Sequence, residues 1–380
     1  MYIFSGKNSL MEIKNDCMYF FGSRPCLPHK LTGIFCEVCD KFDQIKLRIL
    51  IVKLDALGDV LRTTAILPAI HKKYPNAAIT WITRRNAISL LKNNIWIWKL
   101  LAVEDNYLEY ILGQEFDAAF SLDPDFLSAT ILRLCRSDKK YGFIANKDGA
   151  VVPVNELSQE WYCMGIRDDL KKSNRKTFFD HIYKICDLEP PYSRPQYQLT
   201  KEQRLLAQNY KKEKGLSKYR KIVGINTGGG TRWQYKKWLQ EYYIELVALL
   251  ANKHPDIGIL LYGGPDEIDF NNVIMNKVGR YVIDVGCRNT LDVFSALVSL
   301  SDIFLTPDSL GMHISVAIDI ITIAMVGPTA PWELDVFGKG EIIWSDMDCI
   351  GCYLNQCHKN DNCMSLLRPA VIFRKIEKYL

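Results

Sequence analysis

Residues 47–75 read LRILIVKLDALGDVLRTTAILPAIHKKYP. LRILIV is an apolar run of strand length, DALGD a turn, and VLRTTAILPAIHKKYP has the period of a helix that ends at Pro75. A buried strand that turns sharply into a helix is the first half of a βαβ unit. The same rhythm continues. AITWIT (78–83), FDAAFSL (116–122) and KKYGFI (139–144) read as further buried strands, with FLSATILRLCR (126–136) helical between them. A parallel sheet is therefore expected over residues 44–198, and a charged helical bridge over 199–221.

A second series follows. KIVGINTGG (221–229), IGILLYGG (257–264), YVIDVG (281–286), DIFLTPDS (302–309) and ITIAMVGP (321–328) alternate with helical segments such as WLQEYYIELVALLANKH (238–254) and IDFNNVIMNKVG (268–279). The expected architecture is α/β, with two doubly wound Rossmann-like domains at 44–198 and 222–345 facing each other across a cleft. Ligands of such open sheets bind at the carboxyl ends of the strands, where this chain places Gly, Asp and Ser. Residues 1–43 form a Cys-rich segment and 346–380 a Cys-rich loop followed by a terminal helix.

Composition agrees with a packed enzyme. The 380 residues are 48% hydrophobic and 24% charged, with a net charge of +5, which excludes a disordered or fibrous chain. The cations are scattered, favouring anionic ligands without forming a nucleic-acid arm, and basic and aromatic residues are not interleaved as nucleic-acid modules require. No apolar stretch approaches eighteen residues and no secretory leader is evident. The expectation is a cytoplasmic protein, compatible with peripheral contact at the inner membrane.

Four places carry candidate chemistry. Asp59 stands at the first strand-to-helix switch, where it could cap the helix or project into the cleft as a general base; Gly58 would ease the turn. Thr227, Gly228, Gly229 and Gly230 form a bare turn able to approach a diphosphate, with Arg232, Lys236 and Lys237 just beyond. Cations there sit at the electrostatically wrong end of a helix, which points to an anionic ligand rather than a solvated face. Glu267, after Gly263-Gly264-Pro265-Asp266, could hold ribose hydroxyls or cap the next helix. Asp308, Ser309, Leu310, Gly311 and His313 bring a carboxylate, a hydroxyl, a glycine and an imidazole within two turns of a helix start.

Eight of the twelve cysteines fall into two groups. Cys17, Cys26, Cys36 and Cys39, with His29 between them, end in a C-x2-C knuckle within a segment too polar to make its own core. Structural zinc is the expected staple, with free thiols or mixed ligation through His29 as alternatives. Cys349, Cys352, Cys357 and Cys363 suit zinc or iron, an iron–sulfur cluster included. Cys135, Cys163, Cys186 and Cys287 lie among apolar neighbours and are expected to be buried, inert thiols.

The ordered combination of LGDVLRTTAILPAI, TGGG with KKW, PDSLGMH and VGPTAPWE resembles the ADP-heptose lipopolysaccharide heptosyltransferases, glycosyltransferase family 9, over residues 46–367. The resemblance implies an inverting GT-B enzyme that moves heptose from ADP-heptose and needs no cofactor for the transfer. It implies Asp59 as the general base and Lys236 as the cation at the donor phosphates. It also implies Glu267 near the adenosine and Asp308, Ser309, Gly311 and His313 as the donor loop. Leu310 stands as an extra residue against the shortest form of that loop, leaving open which backbone amide meets the phosphate. The acceptor implied is an anionic glycolipid of the lipopolysaccharide inner core, for which Lys139, Lys140, Lys171, Lys172 and Arg175 are candidate contacts. The alternative acceptor is an autotransporter adhesin protein.

Overall fold

The computed structural model describes residues 13–230 and 234–380, so the candidate cation Arg232 lies outside the described residues. The first sheet comprises β1 (Leu47–Val52), β2 (Ala77–Thr83), β3 (Lys99–Ala102), β4 (Ala118–Ser121), β5 (Lys140–Ala145) and β6 (Val151–Pro153), in the order β3-β2-β1-β4-β5-β6. All its pairings are parallel except β5 with β6. The second sheet comprises β7 (Lys221–Asn226), β8 (Ile257–Tyr262), β9 (Ile283–Asp284), β10 (Ile303–Pro307), β11 (Ile321–Val326) and β12 (Gly340–Trp344). Its order, β12-β11-β10-β7-β8-β9, is parallel throughout. Both halves thus repeat the doubly wound order, and the chain has the expected two-domain, GT-B-like α/β fold.

The apolar run of β1 exists because helices cover both faces of its sheet. Ile49 and Ile51 enter one core cluster, Leu50 and Val52 another, and all four side chains are fully buried. Each such burial stabilises the fold by roughly 1.5–3 kcal/mol. Three strands with no clear signature in the sequence, β3, β6 and β12, all lie at sheet edges. They are short and only partly buried, so neither a long apolar run nor strict alternation marks them.

The helix expected after β1 is broken in two. It runs Leu57–Thr63, tightens into a 3-10 turn at Thr64–Ile66 and restarts as Leu67–Lys73. Pro68 explains the break: it has no N–H to donate and is tolerated only in a first turn, so the helix must begin again just before it. The bridging segment is the helix Lys201–Glu213, held at its start by a reciprocal Thr200–Gln203 capping box. Near the C-terminus the helix Pro369–Glu377 buries Ile372 and Ile376 in the core of the second sheet.

Candidate functional site

The loop from β1 to its helix is fastened from below. Buried Lys53 pairs with Asp123, which follows β4, and also donates to the Asp55 carbonyl. Asp123 in turn accepts the Leu54 amide at 2.5 Å. The chain therefore leaves β1 in a fixed direction. The helix starts at Leu57 with Ala56 at its N-cap, so Asp59 belongs to the first turn and is not the cap. Its carboxylate meets Arg62 one turn on, at 2.8 Å. Burial opposes its ionisation, but Arg62, Lys53 and His313 outweigh that and hold the Asp59 carboxyl below its ordinary value. Gly58 does not serve a turn. A Cβ there would lie 2.6 Å from the His313 ring, so the glycine lets the helix approach the helix Leu310–Ala317 of the other half.

On the opposite wall, the turn after β7 and the loop after β10 are tied together by Asn226. Its Nδ2 donates to Thr306 Oγ1 at 2.9 Å and Ser309 Oγ at 3.2 Å, while its Oδ1 accepts the Gly228 amide at 3.3 Å. Gly311 is bare because any Cβ would come 2.8 Å from that same Nδ2. Ser309 is the N-cap residue, so Leu310 and Gly311 supply the first two helical amides, which have no intrahelical partner. Leu310, the extra residue, and Gly311 both line the cavity.

Lys236 donates to Asp308 Oδ2 at 2.7 Å and to the Asp308 carbonyl at 3.2 Å. Burial works against the Asp308 carboxylate, yet Lys236, His313 and the Thr329 hydroxyl bring its pKa down to about 2. Lys237 pairs with Glu267 at 2.6 Å, and the other Glu267 oxygen accepts the Gly264 amide at 3.0 Å. Glu267 thus closes the turn after β8 while its carboxylate forms part of the wall.

These elements enclose a cavity of about 800 Å³ between the halves. Asp59 and Arg62 line it from the first half. Gly228, Gly229, Lys236, Glu267, Asp308, Ser309, Leu310, Gly311 and His313 line it from the second. Two candidates do not line it: Lys237, which pairs with Glu267, and Thr227, which is fully buried and whose hydroxyl donates to Asn271 Oδ1 at 2.7 Å, bracing the turn from behind. Asn226, Arg62, Thr329, Glu333 and Tyr353 also line the cavity and carry no expectation from the sequence. Arg62 could have been suspected from its place three residues after Asp59. Cys287 corrects the expectation of a core position, since it lines the cavity, although burial still pushes its thiol up, and Cys163 is likewise only half-buried.

The other expected contacts divide. Lys140 opens β5 at the amino edge of the sheet, the edge away from the cavity, with Lys139 beside it. Lys171 instead lies over the Tyr353 ring at 3.6 Å, and Arg175 over Trp332 at 4.1 Å, both across the gap between the halves. Among the described residues, no three His, Cys, Asp or Glu side chains are gathered as a metal shell. His29 Nδ1 lies 2.9 Å from the Ile34 carbonyl, a local contact. Cys349, Cys352 and Cys357 are near enough to Cys363 to add to the effect of burial, which pushes its thiol up to about 11. No helix among the described residues is long and apolar enough to cross a membrane.

His313 gives the site a pH signature. Burial first, then Arg62, drives its imidazole down to about 4 from 6.5, against the pull of Asp308 and Asp59. Between those values the unfolded chain binds a proton that the folded chain refuses, so stability is complete above pH 6.5 and falls as pH drops toward 4. The loss is up to about 3 kcal/mol. Urea midpoints measured across this window should fall more steeply for the natural protein than for His313→Gln. Parallel curves would show that His313 is not the titrating group.

A family model, Glycosyltransferase family 9 (heptosyltransferase), matches residues 107–361. A lipooligosaccharide heptosyltransferase 2 of Campylobacter jejuni is 26% identical over 333 residues, 84% of this chain and 88% of that protein. Two solved structures share the fold. A family 9 glycosyl transferase of Veillonella parvula superposes with a TM-score of 0.71 at 16% identity, covering 88% of this chain and 97% of its own. An E. coli ADP-heptose lps heptosyltransferase II does so at 0.65 and 16%, covering 88% and 98%. A matched region of this extent, on two doubly wound domains that meet at one cleft, establishes that the chain belongs to glycosyltransferase family 9 and is a glycosyltransferase.

Proposed function

We propose that the enzyme transfers heptose from ADP-heptose to a hydroxyl of the lipopolysaccharide inner core, with inversion at the anomeric carbon. The observation that carries this reading is a carboxylate, Asp59, facing an anion-collecting wall of Lys236 and the amides of Leu310 and Gly311 across one cavity. Lys236 and those amides hold the diphosphate, and Glu267 lies toward the ribose. Asp59 accepts the proton of the acceptor hydroxyl as its oxygen bonds to the anomeric carbon. The bond from that carbon to the phosphate oxygen breaks on the far side, and ADP departs with the electron pair. With Lys236 and the helix N-terminus holding the diphosphate, these steps need no metal.

The relative from Campylobacter is named for lipooligosaccharide, which supports a glycolipid acceptor over an adhesin. Zinc at the first cysteine group, and zinc or iron at the second, stay structural proposals that elemental analysis of fresh protein decides. Thermal shift tests the donor. At a hundred times Kd, ADP-heptose should stabilise the protein by about 2.7 kcal/mol. An equal response to UDP-glucose, with none to ADP-heptose, would sink the assignment. Release of ADP only when core oligosaccharide is added, and not with adhesin, would separate the acceptors.

A further inference from the structure

The order of strands in the second sheet sets an axis along the cavity. Loops after β8 and β9 contribute Gly263, Glu267, Cys287 and Asn289 at one end. Loops after β7 and β10 supply the diphosphate wall in the middle. The loop after β11 brings Thr329 and Glu333 at the other end. A nucleotide sugar with its diphosphate in the middle and its nucleoside beside Glu267 must lay its sugar toward Glu333.

Glu333 is built into place there. The Tyr353 hydroxyl lies 3.1 Å from Glu333 Oε2 and 3.3 Å from the Ala330 amide. Tyr353 itself is set by the cysteine-rich loop: its amide donates to the Pro328 carbonyl at 2.8 Å, and Gly351, at φ 72°, lets that loop close against the Trp332 ring. Lys171 lies over the Tyr353 ring. Burial raises the Glu333 carboxyl above its ordinary value, although Arg62, the Tyr353 bond and Lys171 all oppose this. A carboxyl held so, at the sugar end and in a wall that also contains Arg62 and Asp59, has the chemistry to bind a sugar hydroxyl.

We propose that Glu333, positioned by Tyr353, receives a hydroxyl of the transferred sugar and so determines which sugar the cavity accepts. This rests on the donor reading above. ADP lacks the sugar, so binding of ADP and of ADP-heptose, each measured by calorimetry, separates the role from mere support of the fold. Glu333→Gln should weaken ADP-heptose by about tenfold and leave ADP within about twofold. Tyr353→Phe should shift ADP-heptose in the same direction by a smaller factor, again sparing ADP. Equal weakening of both ligands, or of neither, overturns the proposal. If Glu333→Gln does not fold, Tyr353→Phe decides by the same comparison. Failure of the natural protein to bind ADP-heptose while binding ADP would instead fault the donor reading on which the proposal rests.

Discussion

Asp59→Asn should cut sugar transfer by about three orders of magnitude while leaving donor binding nearly unchanged, since a positioned general base contributes roughly 10²–10⁴-fold. The amide keeps the shape of the carboxylate and cannot take a proton. Arg62 would lose its ion pair but not its place, because its guanidinium also stacks 3.7 Å over the Phe178 ring and its side chain is only 12% exposed. The helix Leu57–Thr63 is fixed from beneath by the Lys53–Asp123 pair and against His313 by Gly58, neither of which the substitution touches. The melting shift caused by ADP should therefore match the natural protein's, while single-turnover transfer collapses. Transfer within tenfold of normal would remove Asp59 from the role of base.

The part of this site that could be read from sequence is the part written in short segments. β1 declares itself because both faces are buried, and Asp59, the glycine turn and Asp308–His313 each follow directly on such a strand. What could not be read depends on contacts between distant segments. Gly58 looked like a turn residue, whereas its need arises from His313, 255 residues further along, through a 2.6 Å approach. Thr227 looked like part of the phosphate turn, but its hydroxyl belongs to Asn271 behind the sheet edge. Tyr353 was hidden within a pattern of cysteines whose spacing drew attention to metal. Its meaning appears only when Glu333, twenty residues earlier, is found against its hydroxyl. Edge strands escape for a different, local reason: partial burial leaves little periodic signal.

Lys236→Ala should lower transfer by about 10²–10³-fold, the cost typical of removing one donor aimed at charge that develops in the transition state. The ammonium has three N–H bonds; two reach Asp308, at 2.7 Å and 3.2 Å, and among the described residues these are its hydrogen bonds, so the third can meet an oxygen of the diphosphate. A cation placed between Asp308 and a bound diphosphate also screens two anions from each other. Its removal has a second effect that must be separated from the first. Asp308, with its side chain 11% exposed, would keep the Thr329 hydroxyl at 2.7 Å and the nearby His313 but lose its paired cation, and breaking a buried pair on one side costs about 3–5 kcal/mol. Lys236→Ala combined with Asp308→Asn removes the orphaned charge, so the double variant should regain much of the lost stability. Transfer should not return with it, because the charge on the departing ADP would still have no partner. Recovery of both together would mean that Lys236 serves only to neutralise Asp308, and that the helix amides of Leu310 and Gly311 hold the diphosphate alone.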